Sequence, residues 1–426
     1  MNRHILFLMP GDLAAAFEPW RILDPSDQAL LIVPDDGKCP NAPIPVHAVS
    51  DYFHGADLEE FAFDVHARQP FTHVVEFSEW DVERAAALRE HLGIPGCGRA
   101  AAATGRDKAA MKTAWQSNGL PTAAFAVLHE ASDLRAFTRV HGYPVVVKPR
   151  SAAGSSGVAV LRSDAERRAW LALNWSKHLL EPTTPDWIVE EYIDGQVVQV
   201  DALITERGIE YLWPSRVSDL LAWQSSAAPL TITTCALDDP VLGPARDLVR
   251  AAIDAMPARP ATALVHAELF ELRSDASLLL SEIAWRVGGM HTAQMLEAAF
   301  GLHPVDRYLT ALLTPEAPVT PVPAVPVRMA GQVGVPRRQG LIQAVHPIPP
   351  ETLAPANLHT LEFTVAPGQR SGHAAYSTDL AAKAVVTGSS VPVVEAAQRL
   401  FAEYVTDHAI IYARPVTPVA TTGCVR

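Results

Sequence analysis

The chain has few of the features that mark several common classes of protein. Its four cysteines, Cys39, Cys97, Cys235 and Cys424, are too scattered to form a metal-binding motif. Sparse cysteines of this kind are typical of reduced thiols, so we expect a cytoplasmic protein. No GxxxxGK[ST] sequence occurs in the chain, which excludes a nucleotide site of the P-loop type.

Long apolar runs and an excess of positive charge are also missing. No stretch approaches the ~20 apolar residues that cross a membrane. The apolar residues 5–9 are followed by Pro10 and Gly11, so they predict a first strand and a turn rather than a signal peptide. Asp and Glu outnumber Lys and Arg by 47 to 34, and the net charge is −13. This balance argues against nucleic acid and anionic membranes as partners.

What the chain does contain is a lysine that ends an apolar run and precedes a loop of small residues. Residues 143–160 read YPVVVKPRSAAGSSGVAV. The three valines favour a buried strand, and Lys148 would hold a cation at its end. Gly154, Ser155, Ser156 and Gly157 have little bulk to keep backbone N–H groups from phosphate oxygens. We predict that this loop joins two strands as a movable phosphate lid, with a plain surface hairpin as the alternative.

Further motifs follow in a fixed order. Residues 187–195, WIVEEYIDG, predict a strand that leads into a turn, and residues 263–271 and 277–286 predict two more strands. Together with DK at 107–108, VVVKP at 145–149, GSSG at 154–157, HAE at 266–268 and EIAWRVGG at 282–289, this ordered set resembles the ATP-grasp superfamily. Within it, the chain is most similar to the carboxylate–amine ligases that join free L-amino acids into dipeptides.

The resemblance implies an α/β fold, α+β in part, of the ATP-grasp type. An N-terminal open α/β domain would cover residues 1–98, and a linker helix with the lid subdomain residues 99–190. The subdomain for metal and substrate would cover residues 191–313, and a C-terminal mixed segment packing on the ATP-grasp domain residues 314–426. The length of 426 residues alone predicts about three domains.

The resemblance also implies a nucleotide site. It assigns Lys108 and Lys148 to the α- and β-phosphates of ATP, although an exposed surface lysine is the alternative for each. The backbone of Glu191 and Ile193 would bind the adenine edge. The full set of expected cofactor-binding residues is Lys108, Lys148, Gly154, Ser155, Ser156, Gly157, Glu190, Glu191, Tyr192, Ile193 and Gln199. Relatives often carry an acidic residue at the position of Val197 to hold the ribose, and Gln196 or Gln199 would replace it here.

Glu268 and Glu282 are the candidate metal ligands. Two acids on otherwise apolar strands are hard to explain as a solvated face, and we expect them to face each other from adjacent antiparallel strands. Two hard oxygen ligands would share Mg²⁺ between the β- and γ-phosphates. Ala284 stands where many ATP-grasp enzymes have Asn, so the number of Mg²⁺ ions, one or two, stays open, with Mn²⁺ as an alternative.

The resemblance places catalysis at Arg286 and Gly289. The guanidinium would clamp the carboxylate and the acyl phosphate, a bidentate task that suits arginine better than lysine. A buried arginine paired with Glu282 is the structural alternative. Trp213, Arg216 and Trp223 are candidates to shape the substrate site, with core packing as the alternative for the tryptophans.

The implied activity is ATP-dependent formation of an amide bond between a carboxylate, expected to be an amino acid, and an amine. The reaction would pass through an acyl phosphate and release ADP and phosphate. A ligase for a larger natural-product acid and a catalytically silent ATP-binding module are the alternatives. The expected partners are these small-molecule substrates, with a homodimer as an open alternative to a monomer.

Overall fold

The computed structural model describes residues 3–180, 186–218, 228–318, 320–374 and 379–413. Within these ranges, no helix is both long and apolar enough to cross a membrane. The helices are α1 Gly11–Phe17, α2 Asp57–Arg68, α3 Val82–Leu92, α4 Arg99–Thr104, α5 Lys108–Ser117, α6 Ala131–His141, α7 Asp164–Leu180, α8 Leu242–Asp254, α9 Thr292–Phe300, α10 Pro304–Leu313 and α11 Val391–Tyr404.

The N-terminal region contains a parallel sheet in the order β3-β2-β1-β4. Its strands are β1 His4–Leu8, β2 Gln28–Pro34, β3 Val46–Val49 and β4 His73–Glu76. β1 is buried along its whole length, which explains why an uninterrupted apolar run marks it in the sequence. The apolar run at residues 5–9 predicted strand β1, whereas no such run marks β3, because that strand is short and only its last residue is buried.

A second, antiparallel sheet has the order β5-β8-β6-β7. Its strands are β5 Phe125–Leu128, β6 Val145–Pro149, β7 Ala159–Leu161 and β8 Trp187–Glu191. The loop of small residues joins β6 to β7, as predicted from the sequence. Helix α5 begins directly after Asp107, because the side chain of Asp107 caps it by accepting from the backbone N–H groups of Ala109 and Ala110.

The largest sheet has eight strands among the described residues, in the order β13-β12-β9-β10-β11-β14-β18-β16. Its strands are β9 Gly195–Thr205, β10 Gly208–Val217, β11 Leu230–Thr234, β12 Ala263–Leu272, β13 Leu278–Ala284, β14 Met329–Pro336, β16 Asn357–Phe363 and β18 Leu380–Gly388. A smaller sheet, in the order β17-β15-β19, contains β15 Gly340–Val345, β17 Arg370–Ser371 and β19 Ile410–Tyr412. The large sheet therefore includes strands from both sides of the domain boundary proposed at residue 313.

Apolar packing fixes the N-terminal sheet against the large sheet. One cluster joins Ile5 and Leu31 of the N-terminal sheet to Leu203 of β9, Leu264 of β12 and Leu309 of α10, all of them buried. Burial of apolar surface of this kind contributes about 25 cal/mol for each Å² removed from water. Because one core spans both sheets, the loops of the N-terminal sheet keep a defined position relative to β12 and β13.

A buried carboxyl group lies at the start of α3. Asp81 is fully buried, and burial raises its pKa from the ordinary value of 3.8 to about 7, although Tyr52 and Arg84 act against the rise. Between pH 3.8 and about pH 7, Asp81 is therefore protonated in the folded protein but ionised in the unfolded chain. The free energy of unfolding should therefore fall as the pH rises through this window, by at most ~1.4 kcal/mol for each pH unit.

Asp81→Asn should remove this pH dependence, because the amide resembles the neutral acid and does not ionise. We expect the melting temperature of the variant, relative to the wild type, to increase from about pH 5 to about pH 8. Thermal unfolding of both proteins across this range measures the difference. Asp64→Asn, which changes an exposed carboxylate on α2, is the control and should show no such trend. A constant difference for Asp81→Asn would contradict the buried titration.

Candidate active site

A cavity of about 810 Å³ lies between the N-terminal sheet, the antiparallel sheet and the large sheet. Its volume is in the range of small-molecule sites, about 300–1,000 Å³. The predicted site residues that line it are Lys108, Lys148, Gly154, Ser155, Ser156, Glu190, Glu191, Tyr192, Ile193, Gln199, Glu268, Glu282, Arg286 and Gly289. Gly157 does not line the cavity and packs against the end of β6 instead. A Cβ atom at Gly157 would lie 2.8 Å from Cγ of Pro149. The structure thus brings the other predicted residues together around one space.

The two acidic residues lie opposite each other on adjacent strands. β12 and β13 are antiparallel, and Glu268 is in register with Glu282, as predicted from the sequence. Burial alone would raise the pKa of Glu282, but Lys108 and Lys148 lower it to about 2. Nζ of Lys108 lies 3.1 Å from the Glu282 carboxylate. Glu282 is therefore an anion at any pH near neutrality.

The carboxylate pair is suited to Mg²⁺. Both side chains line the cavity and are partly exposed, 31% for Glu268 and 23% for Glu282. The described residues contain no group of three or more His, Cys, Asp and Glu side chains that could enclose a metal ion. Mg²⁺ is commonly held by one or two carboxylates together with substrate phosphates, so an incomplete protein cage fits this ion.

Glu190 lies between two lysines. Its carboxylate is 3.0 Å from Nζ of Lys148 and 3.4 Å from Nζ of Lys112. Burial would raise the pKa of Glu190, but the two cations lower it. Burial lowers the pKa of Lys112 to about 8, against the opposing effect of Glu190. Lys148 lines the cavity, whereas the side chain of Lys112 is 1% exposed and lies behind Glu190.

The small-residue loop between β6 and β7 is attached to the N-terminal end of α5. Nζ of Lys108 donates to the backbone carbonyl of Ala152 at 2.7 Å, and Nε of Arg150 donates to the Asp107 carboxylate at 3.0 Å. Gly154 and Ser155 have φ angles of 62° and 61°, in the left-handed region that glycine adopts most readily. These contacts place the backbone of the small-residue loop beside Lys108, which also contacts Glu282 on β13.

Arg286 is paired with a residue of the N-terminal domain. Its Nε donates to the Glu79 carboxylate, and the same carboxylate accepts from Nη1 of Arg106. Burial would raise the pKa of Glu79, but Arg286 and Arg106 lower it. Arg286 is thus paired with Glu79 and not with Glu282, the alternative considered from the sequence. Its Nη1 also donates to the carbonyl of Val287 at 2.8 Å, which leaves other N–H donors of the guanidinium for a ligand.

A buried histidine lies beside Glu268 on β12. Nδ1 of His266 lies 2.9 Å from Asp201, and Nε2 lies 3.7 Å from Glu268. Burial would lower the pKa of His266, but Asp201 raises it to about 9. Gly288 packs directly against this pair, because a Cβ atom there would lie 2.8 Å from Nδ1 of His266. The close approach explains why glycine stands two residues after the predicted catalytic arginine.

The loop that carries Gly289 is held by the C-terminal strands. Oε1 of Gln332, on β14, accepts from the backbone N–H of His291 at 2.7 Å, and its Nε2 donates to Thr292 at 2.8 Å. The hydroxyl of Thr292 in turn donates to the carbonyl of Gly289 at 2.7 Å. Met290 lies between them with φ of 57°, a left-handed conformation that is uncommon for a residue with a side chain. Gln332 is completely buried, so this support is independent of solvent.

The residues suggested to shape the substrate site are placed differently. Trp213 is buried in the core, where its ring packs against Phe300 at 5.3 Å, so the alternative of core packing is confirmed. Arg216 forms ion pairs with Asp239 at 2.7 Å and Glu271 at 2.6 Å. Trp223 lies outside the described residues.

The sequence analysis missed several charged residues of the site. Glu79 follows an apolar strand, as Lys148 does, and Lys112 lies one helical turn after Lys108 on α5. Both positions can be seen in the sequence, but the sequence does not show which charged side chain Glu79 or Lys112 pairs with. Glu79 and Arg286 are 207 positions apart, and only the tertiary structure shows that they pair.

Comparison with known proteins gives the same picture of the fold. A family model for the ATP-grasp domain matches residues 141–294. The chain is 24% identical over 306 residues to the L-arginine-specific L-amino acid ligase of Bacillus subtilis, across 71% of this chain and 72% of that protein. It is 41% identical over 108 residues to a D-alanine–D-alanine ligase of Neisseria meningitidis, which covers 25% of this chain and 34% of that ligase.

Solved structures show the likeness across nearly the whole chain. The L-amino acid ligase of Bacillus licheniformis superposes with a TM-score of 0.75 at 18% identity, over 97% of this chain and 99% of that one. The biotin carboxylase domain of Hydrogenobacter thermophilus 2-oxoglutarate carboxylase, solved with MgADP and bicarbonate, gives a TM-score of 0.72 at 15% identity. It covers 97% of this chain and 92% of that one. At these identities the likeness establishes the fold.

Lys112→Met should weaken the binding of ATP, although Lys112 does not line the cavity. If Lys148 turns to a phosphate, Glu190 is left with Lys112 as its cation, and an unpaired buried carboxylate costs several kcal/mol. We expect the apparent Kd for ATP, measured by calorimetry, to rise about tenfold or more. Adding Glu190→Gln should restore part of this loss, because the double variant leaves no unpaired carboxylate when Lys148 turns to the phosphate.

A matched control is Lys383→Met, which breaks a Lys–Glu ion pair with Glu362 outside the cavity. It should leave the affinity for ATP unchanged. If the double variant binds ATP no better than Lys112→Met alone, Lys112 does not act through the charge of Glu190.

Proposed function

We propose that this chain, whose residues 141–294 match the ATP-grasp domain, is an ADP-forming ligase that joins the carboxylate of an amino acid to an amine. The observation that best supports the proposal is that the predicted phosphate, metal and carboxylate ligands meet in one place. Lys108, Lys148, the Glu268–Glu282 pair and Arg286 all line one cavity. Phosphoryl transfer needs alignment and charge neutralisation more than covalent help from the protein, and these residues supply both.

The proposed reaction has two steps. A carboxylate oxygen of the acid attacks the γ-phosphorus of ATP, the bond to the β-phosphate oxygen breaks, and ADP leaves with that electron pair. The nitrogen of the amine then attacks the acyl carbon, phosphate leaves with the electrons of the C–O bond, and the nitrogen loses a proton. Mg²⁺ held by Glu268 and Glu282 would neutralise charge on the phosphates.

The chain's own residues have distinct roles in this scheme. Lys108 and Lys148 lie on one side of the cavity and would bind the phosphates of ATP as point charges. Arg286 would bind the carboxylate and then the acyl phosphate with the N–H donors that Glu79 and Val287 do not use. Glu79 would hold Arg286 in place through its ion pair. A guanidinium that is already fixed loses less entropy when it binds the ligand.

A catalytically silent ATP-binding module is the alternative from another class. Such a module would need the nucleotide contacts but not Arg286 or both acidic residues. Their presence in the same cavity supports an enzyme. The cavity is also large enough for an acid bigger than an amino acid. Testing different acids for activity, as described next, identifies the acid substrate.

The nucleotide product should be ADP, and its formation should require a carboxylate substrate. The purified protein is incubated with ATP, Mg²⁺ and mixtures of amino acids, and nucleotides, phosphate and amide products are separated by chromatography and mass spectrometry. Reactions without an acid are the control and should show only background hydrolysis. Formation of AMP and pyrophosphate together with an amide would contradict the acyl-phosphate route.

Glu282→Gln should lower kcat about a hundredfold or more, since it removes one anionic ligand of Mg²⁺ and preserves the shape of the side chain. Initial rates are measured over a range of Mg²⁺ concentrations, and circular dichroism checks the fold. Glu60→Gln, an exposed residue of α2, is the matched control and should retain the wild-type rate. Wild-type turnover of Glu282→Gln at saturating Mg²⁺ would remove Glu282 from the metal site.

A further inference from the structure

The N-terminal parallel sheet has a change of direction beside the cavity. β1 pairs with β2 on one side and with β4 on the other, and the strand order is β3-β2-β1-β4. The chain therefore leaves β1 towards one edge of the sheet and returns at β4 on the opposite side. In open α/β sheets, ligands bind at such a point, outside the carboxyl ends of the strands.

The loops at these carboxyl ends supply one wall of the cavity. Leu13 comes from the segment after β1, Phe77 and Trp80 from the segment after β4, and Phe53 from the segment after β3. We call these four residues the apolar wall. Phe53 and Trp80 are 44% and 55% exposed, and their ring centroids are 6.4 Å apart. Exposed apolar surface that is concentrated in a ligand cavity marks a binding surface.

The charged groups beside the apolar wall already have partners in the protein. Glu79 pairs with both Arg106 and Arg286. The guanidinium of Arg106 also lies 5.8 Å from the ring centroid of Trp80. Asp12 lies 3.6 Å from Lys38, and because both side chains are about 60% exposed this pair is weak. A charged side chain of a substrate beside Trp80 would thus have to compete with the pairs of Glu79 for a counter-ion, whereas an apolar one would not.

The apolar wall is connected to the residue proposed to bind the carboxylate. Trp80 follows Glu79 in the chain, and Glu79 is bonded to Arg286. An acid whose carboxylate is bound by Arg286 would therefore have its remaining atoms near Trp80 and the loops of the N-terminal sheet.

We propose that the apolar wall binds the side chain of the acid substrate and selects amino acids with a large, uncharged apolar side chain, such as leucine or phenylalanine. The proposal rests on the proposed ligase function and adds the substrate class. It differs from the arginine specificity of the Bacillus subtilis relative, because Glu79, the buried acid next to Trp80 in the chain, is paired with two arginines of the chain itself.

The test measures acid activation separately from the choice of amine. Hydroxylamine replaces the amine, so each activated acid is trapped as a hydroxamate, which is measured by colour with Fe³⁺. Leucine, phenylalanine, alanine, arginine and glutamate are supplied one at a time with ATP and Mg²⁺. We expect kcat/KM for leucine or phenylalanine to exceed that for each of the other three at least tenfold.

Two variants test the wall itself. Trp80→Ala should raise KM for leucine or phenylalanine about tenfold and leave KM for alanine nearly unchanged, because alanine does not reach the ring. Phe53→Ala, in a different loop, should act in the same direction and does not neighbour Glu79 in the chain. Val140→Ala is the control, since Val140 is 78% exposed on α6 and does not line the cavity.

The outcomes separate this proposal from the proposed function. A preference for arginine, glutamate or alanine, with ADP formed, would overturn the substrate class and leave the ligase function intact. Equal increases of KM for alanine and for the apolar acids in both variants would show that the wall has only a structural role, and would also overturn the proposal. No ADP formation with any acid would instead contradict the ligase function.

Discussion

The site depends on keeping positive charge in a place that is largely closed to water. Lys148 lies 3.0 Å from Glu190, and Lys108 lies 3.1 Å from Glu282, so each cation is held by an acid until a ligand arrives. Without Glu190, burial would favour the neutral amine of Lys148, because burial lowers the pKa of this lysine and Glu190 raises it. Because a phosphate can compete with a carboxylate for the same ammonium group, the pairs stabilise the empty cavity and still allow binding.

The fold supplies these pairs from elements that are far apart in the chain. α5 presents Lys108 and Lys112 one turn apart, towards Glu282 of the large sheet and Glu190 of the antiparallel sheet. The N-terminal sheet adds Glu79, which contacts Arg286. Movement of the antiparallel sheet relative to the large sheet would therefore change ion pairs that α5 makes with both.

Part of this arrangement could be read from the sequence for physical reasons. The apolar strands carrying Lys148, Glu268 and Glu282 stand out because charge is rare on buried strands. Two carboxylates that face each other repel unless a cation neutralises them, so acids on both of two neighbouring strands indicate a metal site. Glu79, Arg106 and Lys112 could not be assigned, since their partners are set by how three sheets pack. Trp213 was suggested to shape the substrate site but is buried in the core. An aromatic residue near a predicted site in the sequence is more often part of the core than of the site.

The pairing of β11 with β14 limits where the polypeptide can be divided into two parts. β14 pairs with β11 on one side and β18 on the other, and it also carries Gln332, which supports the loop of Gly289. A polypeptide ended at residue 313 would leave the outer edge of β11 without its backbone partners, and an unpaired edge is a template for association between chains. A split or fused version of the protein would thus need to keep residues 314–426, about the last quarter of the chain, covalently or tightly attached.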